Sequence, residues 1–307
     1  MNKTPGDLQY LLIKSLLKML TLIPRPWFAR LAVPLGRLWY GLDPGHRKIA
    51  FDNMTIAFGR EMDRDAIRDL VKANFVQLTR AALELPSLLR LNRKNLASYV
   101  TFEGLHHFEQ ARSRGAGVLF LTAHLGNWEL MALAASLKLE PFYVMIRPLD
   151  SPAMDRLLTE IRSRTGNRMI DKDKSAALVS GLLRNNKTLG ILLDQNSSWY
   201  EGVYVPFFGK VVCTNKGLAI LAMRYGATVL PAFNIRQPDG RYRIIIGAPV
   251  PLVRSSHAGR DISENTARFN QIIEKYIRLA PDNWLWVHRR FRIKDIPEQA
   301  RKRIKGI

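Results

Sequence analysis

The sequence predicts an α/β fold, in which a central sheet carries helices on its faces. From about residue 100 onward, short apolar runs typical of buried strands alternate with longer segments of helical periodicity. The chain has 307 residues, of which 47% are hydrophobic, so it is long and apolar enough to bury a sizeable core. We expect a helical extension at residues 27–100 and the α/β domain at 101–292.

The N-terminal segment, residues 1–26, is expected to form an amphipathic helix. Its apolar part runs from Leu8 to Ile23, and Lys14, Lys18 and Thr21 fall on one helical face while leucines dominate the rest. No run of eighteen uninterrupted apolar residues occurs. We interpret the segment as an interfacial anchor or a short tilted membrane helix. The alternative is a buried helix of a soluble fold.

Residues 27–100 begin with an apolar and aromatic stretch and continue with a long amphipathic helix. Trp27, Trp39 and Tyr40 lie among leucines and arginines, a composition that suits a membrane interface and also suits core packing. The helical pattern from Arg64 to Leu91 is interrupted at Pro86.

The α/β domain is predicted to contain five strands and five helices. The strands are Val118–Ala123, Phe142–Ile146, Leu189–Leu193, Thr228–Ile235 and Tyr242–Ile246. The helices are Trp128–Leu137, Ser151–Arg164, Lys174–Asn185, Asn215–Tyr225 and Ser263–Leu279.

The charge balance is strongly basic. The chain has 47 Lys and Arg against 26 Asp and Glu, a net charge of +21. Such an excess indicates an anionic partner: nucleic acid, anionic lipid headgroups, a phosphorylated substrate or an acidic carrier protein. The single cysteine, Cys213, excludes an intramolecular disulfide framework.

A histidine and a carboxylate stand five residues apart where the first of these strands ends. The segment reads His124-Leu125-Gly126-Asn127-Trp128-Glu129. An imidazole held by a carboxylate takes a proton from a hydroxyl near pH 7, so His124 is a candidate general base and Glu129 its orienting partner. The alternative is a surface histidine beside a glutamate that starts a helix. No His-Glu-x-x-His motif or cysteine pair occurs, so we expect no metal.

Three further groups of residues suggest ligand binding. Four arginines surround a predicted helix: Arg147, Arg162, Arg164 and Arg168. They either bind a phosphate or an oxyanion, or they are solvated surface charges. The apolar segment 202–210 either lines a groove for an acyl chain or packs in the core. The segment 284–292 interleaves aromatic residues with cations and leads into the basic tail 293–307, a pattern that suits anionic lipid or nucleic acid.

Together these motifs resemble the bacterial lipid A biosynthesis acyltransferases, the late or secondary acyltransferases, within the glycerolipid acyltransferase-like superfamily. The matching segments are His124–Leu130, Arg147-Pro148, Ile161–Arg164, Leu193–Gln195, Gly202–Gly209, Thr214 and Trp286–Phe291. They occur in the family's order and cover about residues 8–292.

The resemblance implies a mixed central sheet flanked by helices, with an N-terminal extension that associates with the bacterial inner membrane at its cytoplasmic face. It implies an acyl carrier protein thioester as donor, a glycolipid hydroxyl as acceptor and no cofactor. His124, Glu129 and Arg164 are the expected catalytic residues. The expected substrate-binding residues are Asn127, Arg147, Arg162, Asp194, Gln195, Pro206, Phe207, Phe208 and Thr214.

Three other functions remain open from the sequence. The nearest is an acyl-coenzyme A-dependent enzyme that acylates a lysophospholipid or a phosphatidylinositol mannoside-type glycolipid. The charge alone suggests a nucleic-acid-binding protein, which the resemblance does not favour. The third is a non-catalytic membrane scaffold, against which the intact His124 and Glu129 argue.

Overall fold

A computed structural model describes residues 5–172 and 176–292. The helices are α1 Pro5–Leu20, α2 Arg25–Leu42, α3 Pro44–Phe58, α4 Arg64–Leu83, α5 Leu85–Leu88, α6 Leu105–Ser113, α7 Trp128–Lys138, α8 Pro152–Ser163, α9 Ala176–Arg184, α10 Gly217–Tyr225 and α11 Ala258–Leu279. The strands are β1 Val100–Glu103, β2 Val118–Thr122, β3 Tyr143–Ile146, β4 Arg168–Asp171, β5 Thr188–Leu192, β6 Gly202–Phe207, β7 Lys210–Asn215, β8 Thr228–Arg236 and β9 Tyr242–Ile246.

A seven-stranded mixed sheet forms the centre of the fold, in the order β1-β9-β8-β2-β5-β3-β4. Neighbouring strands are parallel except β8 and β9, which are antiparallel. Strands β6 and β7 form a separate antiparallel hairpin. Every residue of β2 is buried, as expected for a central strand of a sheet covered on both faces. The predicted α/β class and mixed sheet are confirmed.

The five predicted strands and five predicted helices are present, with ends that differ by a few residues. Strands β1 and β4, helix α6 and the hairpin were not predicted, because each strand is short or carries no clear alternation. Helix α11 begins five residues before the predicted Ser263. Lys174, where a helix was predicted to start, and the basic tail 293–307 lie outside the described residues.

Helix α1 turns its apolar face outward. Tyr10 is buried against the α/β domain, and Lys14 pairs with Glu160 of α8 at 2.7 Å. This ion pair ties α1 to α8. The exposed large side chains are Leu8, Leu11, Leu12, Leu16 and Met19.

Helix α2 adds a second exposed apolar stripe. Its buried side packs on α4, where Gly36 allows close approach: a Cβ there would lie 2.6 Å from Cα of Val76. The exposed large side chains recur at helical spacing and are Trp27, Leu31, Leu35, Leu38 and Leu42. We call the exposed residues of α1 and α2 the apolar face. No helix in the described ranges is both long and apolar enough to cross a membrane.

Helices α3 and α4 hold the C-terminal segment 281–292 against the sheet. The buried Asn53 amide of α3 donates to the carbonyls of Trp286 and His288, each at 2.7 Å. The buried Asn74 amide of α4 donates to the carbonyl of Trp284 at 2.6 Å. The helical extension thus fixes the position of segment 281–292.

Candidate active site

Two adjacent parallel strands bring a histidine and an aspartate to the same edge of the sheet. Strands β2 and β5 pair in register, with Thr122 opposite Leu192. His124 and Asp194 each stand two residues beyond these paired positions. Because parallel strands end at a common edge, the two side chains meet there.

Asp194 is fully buried and accepts three hydrogen bonds. Its Oδ1 lies 2.9 Å from Nδ1 of His124, and its Oδ2 accepts from the His124 backbone N–H at 2.9 Å and from the Trp284 indole N–H at 2.7 Å. Burial alone would raise the pKa of Asp194, but the charge and hydrogen bonds of His124, with the indole, lower it to about 2.

The ionised aspartate fixes the tautomer of His124. A carboxylate only accepts hydrogen bonds, so the hydrogen of the neutral imidazole lies on Nδ1 and the lone pair on Nε2. Nε2 has no hydrogen-bond partner among the residues that the structure describes. The His124 side chain is 19% exposed, and the Trp128 ring packs edge-to-face on it at 5.0 Å. His124 is therefore arranged to accept a proton from a ligand.

The loop after His124 is held by the C-terminal segment. Leu285 donates its backbone N–H to the carbonyl of His124 at 3.0 Å, and Gly126 donates to the carbonyl of Asn283 at 3.0 Å. Gly126 has φ +65°, and a Cβ there would lie 2.4 Å from the carbonyl oxygen of Asn234. A side chain at this position is excluded by both conformation and space.

His124 opens into a cleft of about 1430 Å³. Its apolar lining, called here the apolar wall, includes Ala132, Val144, Ile146, Val179, Ile191, Leu193, Ile220 and Leu221. The polar lining side chains include His124, Glu129, Arg147, Arg162, Lys172, Gln195, His288, Arg289 and Arg292. A cleft of this kind accommodates a ligand with an apolar chain and an anionic group.

Glu129 does not make the contact that we expected with His124. Arg162 donates to both of its carboxylate oxygens, from Nε at 2.8 Å and from Nη2 at 2.6 Å. The orienting contact on His124 comes from Asp194, which we expected only to bind substrate. Glu129 starts α7 and points to α8, because the turn at Gly126 separates it from the imidazole.

Of the two neighbouring arginines, only Arg162 lines the cleft. Arg164 is exposed at the C-terminal end of α8 and is absent from the lining, so the structure does not support its predicted catalytic role. Residues two apart on a helix point in very different directions, which explains the separation. Arg147 lines the cleft as expected and pairs with Asp150 at 2.5 Å.

The predicted binding residues of the hairpin β6–β7 do not reach the cleft. Phe207 and Phe208 are buried in the core, against Trp284 and Trp286. Thr214 is also buried and accepts a hydrogen bond from Arg290 at 2.7 Å. Here the core-packing interpretation is correct, because the hairpin lies under α11 and the C-terminal segment.

Pro206, on the same hairpin, is exposed but also lies outside the lining of the cleft. Gln195, which follows the buried Asp194, is exposed and lines the cleft as expected.

Asn127 caps a helix instead of facing a ligand. It is buried, its Oδ1 accepts from the backbone N–H of Leu130 at 3.0 Å, and its amide donates to the buried Glu84 at 3.0 Å. These contacts fix the start of α7 immediately after the histidine loop.

A second imidazole, His288, lines the cleft but is not free to act as a base. Its Nε2 accepts the backbone N–H of Asn196 at 3.1 Å, so Nδ1 carries the hydrogen. Burial lowers its pKa, although the charge of Asp194 opposes this, which keeps the ring neutral. Among the described residues, no group of three or more His, Cys, Asp or Glu side chains could hold a metal ion.

The fold and site define an α/β protein whose partly apolar cleft contains a histidine hydrogen-bonded to a buried aspartate. Residues 5–293 match the family model described as bacterial lipid A biosynthesis acyltransferase, and the chain belongs to this family. The protein is accordingly an O-acyltransferase.

Three relatives cover most of the chain. The "Lipid A biosynthesis lauroyltransferase" of Escherichia coli (strain K12) is 27% identical over 274 residues, 89% of this chain and 87% of the relative. The "Lipid A biosynthesis acyltransferase" of Haemophilus influenzae is 28% identical over 283 residues, which is 89% of this chain and 86% of the relative. The E. coli "Lipid A biosynthesis palmitoleoyltransferase" is 25% identical over 282 residues, which is 91% of this chain and 89% of the relative.

Proposed function

We propose that this protein transfers a fatty acyl chain from an acyl carrier protein thioester to a hydroxyl of a lipid A precursor or related glycolipid. The observation that carries the proposal is the His124–Asp194 pair at 2.9 Å, with Nε2 of the imidazole open to a large, partly apolar cleft. Membership of the family supports the reaction class.

His124 acts as the general base. Its Nε2 takes the proton of the acceptor hydroxyl while the hydroxyl oxygen attacks the thioester carbonyl. The tetrahedral intermediate collapses, the C–S bond breaks, and the leaving thiolate receives the proton from the imidazolium. Asp194 holds the ring and stabilises its positive charge during these steps. Both substrates are present together, so no acyl-enzyme is needed.

We assign anion stabilisation to Arg162 in place of Arg164. Arg162 lies in the wall of the cleft, its side chain is 17% exposed, and Glu129 fixes its guanidinium through two hydrogen bonds. A fixed cation in a site shielded from water stabilises negative charge that develops in the transition state. Glu129 is then a positioning residue for Arg162.

The apolar wall of the cleft accommodates the acyl chain. Its residues come from β3, β5, α7, α9 and α10 and from Leu193 just beyond β5, and they line the same cleft as His124. A chain laid along this wall places its thioester carbonyl beside the base. The acidic carrier protein fits a chain of net charge +21.

We propose that the apolar face inserts into the cytoplasmic surface of the bacterial inner membrane. Helices α1 and α2 together expose ten large apolar side chains, and Lys14 of α1 pairs with Glu160 of α8. A helix that exposes a row of large apolar side chains suits the bilayer interface. The glycolipid acceptor would reach the cleft from that surface.

The test is transfer by the purified full chain. The protein is mixed with a lipid A precursor in detergent micelles and with either acyl carrier protein thioester or the same acyl chain on coenzyme A. Mass spectrometry should show a gain of one acyl chain, faster with the carrier protein. The His124→Ala variant is the control and should give no product. Transfer only from coenzyme A, or only to a lysophospholipid, would contradict the proposal.

A further inference from the structure

We propose that Arg289 and Arg292 form a phosphate-binding subsite at the edge of the cleft, an inference that rests on the acyl transfer proposed above. Both side chains line the cleft that contains His124. The ligand group is a phosphate ester. It belongs either to the sugar headgroup of the acceptor or to the phosphopantetheine arm of the donor.

The charge environment of these two arginines differs from that of the other cations in the cleft. Arg147 pairs with Asp150, Arg162 with Glu129 and Lys172 with Glu201. Arg289 and Arg292 are exposed and form no ion pair with any residue in the described ranges.

The backbone that carries them is firmly held. Arg290, between them, is fully buried and donates to the carbonyls of Gln195 at 3.0 Å and Cys213 at 2.8 Å. The Asn196 amide donates to the carbonyl of Arg292 at 2.7 Å. Burial lowers the pKa of Arg290 to about 10, which leaves it protonated at neutral pH.

Residues 286–292 form consecutive turns, in which the Arg290 N–H donates to the carbonyl of His288 at 2.8 Å and the Arg292 N–H donates to the carbonyl of Arg289 at 3.3 Å. The Arg290 side chain is buried, whereas Arg289 and Arg292 are exposed and line the cleft. The two guanidinium groups are therefore presented on a fixed backbone, and within residues 5–172 and 176–292 no carboxylate pairs with them. Guanidinium groups bind phosphate oxygens through paired, charge-assisted hydrogen bonds.

The same segment is attached to the proton-transfer pair. Leu285 donates to the carbonyl of His124, and the Trp284 indole donates to Asp194. A phosphate bound at Arg289 and Arg292 is thus held by the same rigid unit that positions the base. Its effect should fall on substrate binding and not on the chemical step.

The test compares two double variants of equal charge. Arg289→Ala/Arg292→Ala removes the subsite, while Arg60→Ala/Arg260→Ala removes two exposed arginines that do not line the cleft. The first should raise the KM of one substrate about 10- to 100-fold, with kcat changed only a few-fold, because charge-assisted hydrogen bonds are lost. The second should match the unaltered protein.

Two arms identify the source of the phosphate. The acceptor is supplied with and without its sugar phosphates, and the donor as acyl-phosphopantetheine or phosphate-free acyl-pantetheine. One of the two substrates carries the phosphate that the subsite binds. When that substrate is supplied without its phosphate, the KM of the Arg289→Ala/Arg292→Ala variant should no longer exceed that of the unaltered protein. A change in KM no larger than that of the Arg60/Arg260 control, in all arms, would overturn the subsite.

A binding measurement keeps the subsite separate from the proposed reaction. Inorganic phosphate is titrated with protein and followed by its ³¹P line width. The unaltered protein and the control should broaden the signal, Arg289→Lys/Arg292→Lys should broaden it less, and Arg289→Ala/Arg292→Ala should lose the effect. Equal broadening by all four proteins would reject the subsite. Absence of acyl transfer with this binding intact would reject only the proposed function.

Discussion

The carboxylate of Asp194 lies 2.9 Å from Nδ1 of His124, although the two residues are seventy positions apart in the chain. The contact depends on the in-register pairing of β2 with β5, which places the residues after Thr122 and Leu192 side by side. The Trp284 indole completes the arrangement by donating to the same carboxylate at 2.7 Å. Three separate parts of the chain therefore meet at this carboxylate.

Replacing Asp194 by Asn should lower kcat by about 100- to 10,000-fold, because an amide no longer fixes the Nδ1–H tautomer or stabilises the imidazolium. Acyl transfer is measured at saturating donor and acceptor, with folding checked by circular dichroism. Gln195→Ala, at the next position but exposed in the cleft, serves as the matched control and should lose far less activity. Equal losses in the two variants would argue against a specific role for the carboxylate.

The acid stability of the protein should depend on the same carboxylate. The pKa of Asp194 falls from its ordinary value of 3.8 to about 2 on folding. Its contribution, about 2 kcal/mol, is present above pH 3.8 and is lost as the pH falls towards 2. Urea denaturation from pH 5 to pH 3 should show the unfolding free energies of the parent and Asp194→Asn converging. A gap that stays constant over this range would contradict the assignment.

The Glu129–Arg162 pair should behave as a coupled unit in stability measurements. Glu129→Gln leaves a guanidinium without its carboxylate in the wall of the cleft and should destabilise the fold by about 2 kcal/mol. The double variant Glu129→Gln/Arg162→Met should recover part of this loss, since the unpaired charge is removed. Chemical denaturation gives the unfolding free energies of the parent, the single variants Glu129→Gln and Arg162→Met, and the double variant. Simple additivity of the two single changes would show that the pair is not coupled.

The apolar face predicts which surface binds membranes. Leu31→Ser/Leu38→Ser removes two exposed leucines from α2 and should weaken binding to phosphatidylethanolamine–phosphatidylglycerol vesicles at least about tenfold. Vesicle sedimentation measures the bound fraction. Leu279→Ser changes a comparably exposed leucine at the end of α11 and should leave binding unchanged. Equal effects of the two variants would place the contact elsewhere.

The fold could be predicted from the sequence where hydrophobic patterns are long, as in β2, β8 and α7. The four-residue strands β1 and β4 were missed, because such short segments carry little periodicity.

His124 was predicted from its place at the end of a strand, and Asp194 was recognised as a residue at a similar strand end. Their contact was not predicted, because the sequence does not show which strands are neighbours. The hairpin phenylalanines were misassigned for a related reason. An apolar run between glycines has the same pattern whether it lines a groove or packs in a core, as Phe207 does.

The central claim is that Asp194 acts through His124, and a double-mutant cycle on acyl transfer tests it most directly. The values of kcat/KM are measured for the parent, His124→Ala, Asp194→Asn and the double variant. We predict that His124→Ala lowers kcat/KM to a small residual value and that adding Asp194→Asn to it causes no further loss. Near-normal turnover by His124→Ala, or a full additional loss from Asp194→Asn in that background, would contradict the account.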